Sequence, residues 1–508
     1  MSSWWRDAVI YQIYPRSFAD ANGDGVGDLT GIRSKLDYLT ALGVDAVWLS
    51  PFYTSPQKDG GYDVADFRAV DPVFGSLEDF DALVAEAHER GIRVVVDIVP
   101  NHSSSAHEWF TAAVAAGPGS PERERYHFRD SADGPPNDWQ SVFGGPAWTQ
   151  LPDGQWYLHL FDSSQPDFNW DHPQVREEFL SVLRFWLDRG VDGFRVDVAH
   201  GLVKEPGLPE VGATGSVELL GTDRVPYFDV DGVHQVYRQW RAVLDSYPGD
   251  RMAVAEAWVD SPQRRMRYVR PDELHQAFNF DLLLADFTAE DYRRVIDDEI
   301  AIAGGVAAPP TWVLSNHDRH RHVTRYGDGE TGRARARAGS LVMLALPGSA
   351  YLYQGEELGL PEVLDLPDSV RQDPTFVRTG GQDKGRDGCR VPLPWNTSGP
   401  SLGFGTGPGW LPQPSGWSAL SAQAQDGVPG STLEMYRTAL RVRRDHRPVG
   451  LTWRETGSPQ VLEFDNGAVR CVVNFGDTPH PVTGEVLVAS AEPVDGLLPA
   501  DGAVWLRR

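Results

Sequence analysis

Cysteine is almost absent from this chain of 508 residues: Cys389 and Cys471 are its only two. They stand too far apart in sequence to suggest a disulfide framework or a zinc-ligand spacing. No apolar run is long enough to span a bilayer, and the first residues, Met1-Ser-Ser-Trp-Trp-Arg6, show no charged, apolar and small-residue succession of a secretory leader. The expectation is a cytoplasmic protein without a membrane partner. Positive charge is also short, with 46 Lys and Arg against 72 Asp and Glu and a net charge of −26. That balance argues against nucleic acid and anionic lipid, and it favours solubility. No repeat of fixed period is visible beyond an alternation of strand-like and helix-like stretches.

That alternation carries the fold. Residues 8–14 read as a buried strand, and residues 30–42 carry Ile32, Leu36, Leu39 and Leu42 as a helical stripe closed by Gly43. A second strand follows at 44–49. Ser76-Leu-Glu-Asp79 then opens a helix with a capping-box variant, running to Gly91. The near-continuous apolar run 92–98 suits a parallel strand buried on both faces. Pro173 opens a helix whose Val175, Phe179, Val182, Leu183 and Trp186 share one face, and residues 193–200 form a fourth strand. Further strands are expected at 252–258, 276–280, 311–315 and 350–353.

Eight short strands separated by helices predict an α/β fold, a (β/α)8 barrel formed by residues 1–102 and 172–448. The stretch 103–171, rich in Gly, Pro, Asp and aromatics, reads as an irregular insertion domain after strand three. After a polar, Gly- and Pro-rich excursion over about 360–430 and a helix at 431–444, residues 449–508 change to short alternating runs. These predict a small all-β sandwich domain.

A barrel of this kind presents chemistry at the C-terminal ends of its strands. There the sequence places Asp97, Asn101 and His102 after strand three, and Arg195, Asp197 and His200 on strand four. Glu256 is on strand five, with His317 and Asp318 after strand seven. Along a strand Arg195 and Asp197 point the same way, while Phe194, Val196 and Val198 point toward a covering helix. A guanidinium beside Asp197 keeps that carboxylate ionised, as a nucleophile requires. Glu256 has apolar strand neighbours and no cation close in sequence, which suits a carboxyl that holds a proton. Paired carboxylates at a barrel mouth, in a chain with 17 Trp that could stack sugar rings, suggest glycoside hydrolysis.

Four segments, Asp97-Ile-Val-Pro-Asn-His102, Gly193-Phe-Arg-Val-Asp197, Glu256-Ala-Trp258 and Asn316-His-Asp318, resemble the signature regions of glycoside hydrolase family 13, the α-amylase family. They occur in the family's order and on the matching strands. Gln165-Pro-Asp-Phe-Asn-Trp170 resembles the form found in the oligo-1,6-glucosidase and α-glucosidase branch. The resemblance implies Asp197 as nucleophile of a covalent glucosyl enzyme, Glu256 as acid/base and Asp318 as transition-state stabiliser. In a retaining enzyme the first two lie about 5–5.5 Å apart. It further implies that His102 and His317 bond the glucose and that Tyr62 of Asp59-Gly-Gly-Tyr62 stacks on it. Asp59 would bind the far hydroxyls, partnered by Arg386 of Gly385-Arg-Asp-Gly-Cys-Arg390, with Arg390 as the alternative. Such an Asp–Arg wall makes an enzyme exo-acting.

Asp20-Ala-Asn-Gly-Asp-Gly-Val-Gly-Asp28 spaces Asp20, Asn22, Asp24 and Asp28 as an oxygen cage, with Gly25 at the turn and the Val26 carbonyl available. Gly31 stands where an EF-hand would have its bidentate Glu. The resemblance implies a calcium loop here, so structural Ca2+ is expected, with no organic cofactor. The histidines 317, 320 and 322 are not read as a zinc site, because Arg319 and Arg321 lie among them. The expected activity is a retaining exo-α-glucosidase acting on small α-glucosides, as monomer or homodimer. A transglycosylase or isomerase on the same machinery is the alternative. Val198 resembles the residue of α-1,6-selective relatives, and residues 201–225 could reshape the acceptor side.

Overall fold

The computed structural model describes residues 3–212, 225–447 and 449–508. Eight parallel strands form its centre: β1 (Val9–Ile13), β2 (Ala46–Leu49), β3 (Arg93–Ile98), β4 (Gly193–Val196), β5 (Met252–Ala255), β6 (Gln276–Ala277), β7 (Thr311–Val313) and β8 (Ser349–Tyr353). Their hydrogen-bonded order, β6-β5-β4-β3-β2-β1-β8-β7, wraps nearly into a closed barrel. The remaining seam is bridged by one side chain: Thr311 Oγ1 donates to the Ala277 carbonyl and accepts from Asn279 N. The (β/α)8 expectation therefore holds.

Strand alternation sorts the core into two shells. Val9, Tyr11, Val94, Val96, Phe194 and Val196 pack outward against the helices, whereas Ile10, Trp48, Val95, Val254 and Tyr351 fill the barrel interior. Arg195 sits between two outward residues and so faces inward. In the β3–β4 register it lies level with Asp97, and in the β4–β5 register level with Val254.

Several elements are shorter than the periodicity suggested. The stripe 30–42 is two helices, Leu29–Arg33 and Leu36–Leu42. β6 ends at Ala277, because the Asn279 side chain accepts from Asp281 N and starts the helix Phe280–Leu284. β4 ends at Val196. Val198 is therefore not a strand residue facing a barrel helix: its φ is +43°, and it packs with Trp139, Phe161, Leu208, Tyr227 and Phe228.

Within residues 103–171 lie a helix, Glu108–Ala116, and a three-stranded antiparallel sheet of Phe128–Asp130, Gln155–Leu158 and Trp148–Gln150. At the other end, β9 (Thr452–Arg454), β10 (Val461–Asn466), β11 (Val469–Asn474), β12 (Val486–Ala489) and β13 (Gly502–Arg507) form an antiparallel sheet in the order β9-β10-β11-β13-β12. A two-stranded sheet, His480–Pro481 with Leu497–Leu498, accompanies it. Among the described residues no helix is long and apolar enough to cross a membrane.

Candidate active site

The floor of the barrel mouth is one guanidinium. Arg195, 2% exposed, places Nη1 2.8 Å from Asp97 Oδ1 and 2.6 Å from Asp197 Oδ1, and Nη2 2.7 Å from Glu256 Oε2. This corrects the sequence-based picture of Glu256 as a carboxyl without a cation. β5 lies beside β4, so Glu256 reaches the fork that Asp197 uses. Its remaining contacts are donors: Val198 N to Oε2 at 3.0 Å and Trp258 Nε1 to Oε1 at 3.0 Å. Because Val196 ends the strand, the turn through Val198 frees that N–H to face Glu256.

Three buried carboxylates around one cation cannot all be ionised cheaply. Burial raises the Asp97 carboxyl to about 7, with Arg195 pulling it down and Glu256 pushing it up. Burial also drives Asp197 well above the usual carboxylate range, against Arg195 and with Glu256 and Asp97. The adjacent arginine thus does not by itself keep Asp197 charged, as sequence proximity suggested. Asp97 and Asp197 are thus both pushed toward holding a proton near neutral pH.

Asp318 is the opposite case. Burial raises its carboxyl, but His317, Arg386, Arg390 and Arg195 outweigh that and hold it far below the usual range. Arg386 Nη1 lies 3.0 Å and Arg390 Nη2 2.9 Å from Asp318 Oδ1. Arg386 also reaches Asp59 Oδ1 with Nη2 at 2.7 Å and Asp373 Oδ2 with Nε at 2.6 Å. The Asp59 partner is therefore Arg386, while Arg390 spends its Nε on the His317 carbonyl at 2.8 Å. Burial lifts Asp59 to about 6 despite Arg386 and Arg390. Asp373, which orients Arg386, escaped sequence reasoning because it lies in an aperiodic excursion with no motif around it.

Tyr62 Oη sits 2.6 Å from His317 Nε2 and 3.1 Å from Asp97 Oδ2, and the Tyr62 and His317 rings stack at 5.2 Å and 9°. His102 Nε2 lies 3.2 Å from the Tyr62 carbonyl and 3.1 Å from Gln165 Nε2. Burial lowers His102 to about 4 and His317 well below its ordinary value, so both rings are neutral at pH 7. Gln165 also donates to Asp59 at 3.0 Å and ties the insertion to the site. It was visible in the segment 165–170 but had no role assigned. Asn101 and Lys204 are structural: Lys204 Nζ, fully buried, contacts Asn101 Oδ1 at 2.9 Å and Asp167 Oδ2 at 2.7 Å, joining two barrel loops to the insertion. His200 packs on the Phe228 ring at 4.4 Å.

In the loop 20–28, Asp20 accepts from Gly23 N at 2.6 Å and Gly25 N at 2.9 Å, and Asn22 accepts from Asp24 N at 2.8 Å. Asp24 accepts from Val26 N at 2.8 Å, and Asp28 takes Ala21 N at 2.9 Å and caps the next helix through Gly31 N at 2.6 Å. Among the described residues no group of three His, Cys, Asp or Glu side chains is disposed to hold a metal. His322 is occupied by Ser315 Oγ at 2.8 Å, away from His317. Of the acceptor-side segment 201–225, residues 213–224 lie outside the described residues.

A (β/α)8 barrel with carboxylates gathered at its C-terminal mouth fits the class of glycoside hydrolases. The catalytic-domain profile of α-amylase matches residues 12–450. A probable alpha-glucosidase of Rhizobium meliloti is 40% identical over 97% of this chain and 93% of its own length. An oligo-1,6-glucosidase of Parageobacillus thermoglucosidasius is 36% identical over 87% and 84%. Among solved structures, an alpha-glucosyl transfer enzyme superposes with TM-score 0.87 at 37% identity, covering 100% of this chain and 98% of the other. A trehalulose synthase variant superposes with TM-score 0.90 at 34% identity over 100% of both chains. The chain belongs to the α-amylase family of glycoside hydrolases.

Proposed function

We propose that this protein is a retaining, exo-acting α-glucosidase that releases terminal α-linked glucose from short saccharides. The observation that carries the reading is the Arg195 fork, which touches both Asp197 and Glu256. Two carboxylates held by one guanidinium cannot sit in separate pockets, and a close pair is the arrangement for double displacement. In this reading ionised Asp197 attacks the anomeric carbon and forms the covalent glucosyl enzyme as the glycosidic C–O bond breaks, with Glu256 giving a proton to the leaving oxygen. Water then attacks that carbon, its proton passing to Glu256, as the bond to Asp197 breaks and glucose is released. Asp318, ionised at every working pH, opposes the positive charge that develops on the sugar ring. Neutral His102 and His317 serve as hydrogen-bonding groups, and Tyr62 supplies a ring face. The Asp59–Arg386–Asp318 chain of contacts closes the far side of the subsite, which supports exo action.

The machinery also fits transfer to a sugar acceptor, which the two structural neighbours favour by what their names say. Incubation with maltose, isomaltose, sucrose and trehalose separates the readings. Free glucose as the main product supports hydrolysis, whereas new disaccharides accumulating at high substrate concentration support transfer. If none of these four glycosides turns over, the proposal falls.

We also propose that loop 20–28 holds a structural Ca2+ through Asp20, Asn22, Asp24, the Val26 carbonyl and Asp28. The donor set is all oxygen, the chemistry a hard cation takes. The ion would cross-link a loop that backbone hydrogen bonds already shape. Chelation should lower the melting temperature, Ca2+ should restore it better than Mg2+, and Asp24→Ala should abolish the response. Melting that ignores chelator rules the ion out.

A further inference from the structure

The opposite end of the barrel carries a feature that catalysis does not use. At the N-terminal ends of β1, β2 and β3 a cavity of about 520 Å³ is lined by Trp4, Asp7, Asp45, Arg93, Arg444 and Arg447, with Arg443 beneath. Four arginines face two aspartates there, an excess of two positive charges in a chain of net charge −26.

The available counter-charges are poorly engaged. Arg444 Nη2 donates to the Gly43 carbonyl at 2.7 Å but lies 3.5 Å from Asp45, and Arg447 Nη1 is 3.6 Å from Asp7, both long for direct ion pairs. Arg93 is 3.4 Å from Asp192, but Asp192 already has Arg251 at 2.7 Å and His88 at 2.7 Å. Arg443 is 4% exposed, donates to the carbonyls of Leu344, Leu346 and Gly348, and leaves its buried Nε without a hydrogen-bond partner. Burial lowers Arg443 to about 10, so it stays charged at pH 7. The Trp4 ring, with Arg93 4.9 Å from its centroid, adds a flat apolar wall.

We propose that this basal cavity binds a small phosphate-bearing anion, orthophosphate or a phosphate monoester. Guanidinium forks match phosphate oxygens in pairs, and a phosphate dianion balances the excess of two charges. The volume exceeds what orthophosphate fills and leaves room for an organic group beside Trp4. Arg443, Arg444 and Arg447 lie at the end of the helix Thr432–His446, which leads into the C-terminal β-domain. The bound anion therefore pins that junction to the base of the barrel.

The test is calorimetric titration of the full chain with orthophosphate and with glycerol 2-phosphate, with chloride at equal ionic strength as control. Thermal melts are run in parallel. Expected are one saturable site and a rise in melting temperature that chloride does not give. The Arg444→Gln/Arg447→Gln double variant, whose side chains are 54% and 68% exposed in the parent and so are dispensable for folding, should bind about tenfold more weakly or not at all. Its hydrolysis of glucosides should be unchanged, because the cavity is remote from the mouth. Tighter binding of the monoester assigns the organic ligand, and equal binding assigns orthophosphate. Absence of saturable binding, equal affinity in the double variant, or stabilisation reproduced by chloride overturns the proposal.

Discussion

Replacing Arg195 by Gln removes the one cation shared by Asp97, Asp197 and Glu256 and leaves a neutral, shorter polar side chain. An arginine beside a carboxylate lowers its pKa by about 1–3 units, and loss of Arg195 gives that back to a cluster already pushed upward by burial. Asp97 stands at about 7 with Arg195 present, and Asp197 is also raised. At pH 7 the fraction of enzyme with Asp197 ionised should then fall by up to about a thousandfold, and kcat/KM with it. The acid limb of the pH profile should move to higher pH by about 1–3 units.

Stability responds with a definite sign. A carboxyl whose folded pKa lies above its unfolded value stabilises the fold at low pH, and that contribution disappears as pH rises through the folded value. For Asp97 the window runs from its unfolded value of about 4 up to about 7. In Arg195→Gln the window extends further upward. Breaking a buried pair costs about 3–5 kcal/mol once the carboxylates ionise. Melts at pH 5 and pH 8, alongside pH profiles of kcat/KM, read both effects. An acid limb that stays where wild type has it, or a stability loss equal at both pH values, would refute the raised-pKa account of this site.

Asp197→Ala should lose essentially all turnover with the melting temperature retained, and a wild-type rate would take the nucleophile's role from it. Asp318→Asn should cost about 10²–10³ in kcat and move the acid limb to lower pH, because the Asp318 charge helps to raise the Asp197 carboxyl. Arg386→Ala should weaken kcat/KM for disaccharides more than Arg390→Ala, since only Arg386 bridges Asp59 to Asp318; the reverse order would reassign the wall. Val198→Thr should change the isomaltose-to-maltose ratio of kcat/KM by about tenfold or more. An unchanged ratio would show that this residue does not set linkage preference.

The barrel was legible because its evidence is local. Apolar runs of four to six residues, the Ser76 cap with its reciprocal bonds to Asp79, and the helix stripe from Val175 to Trp186 depend only on neighbours in sequence. The polar residues at strand ends were legible for the same reason, since strand alternation decides which side chains face inward. Strand lengths were less so: Asn279 ended β6 early, and the backbone at Val198 left the strand, because capping and turning override apolar patterning.

The sequence by itself determined which acidic, basic and aromatic groups stand at the mouth, because two-residue periodicity and motif spacing are properties of the chain. Only the tertiary structure decided how they share charge. Glu256 found a cation because β5 is hydrogen-bonded beside β4, and Arg386 rather than Arg390 met Asp59 because Asp373 holds it there. Protonation follows from burial and from distances between groups remote in sequence, and those quantities exist only once the barrel has closed.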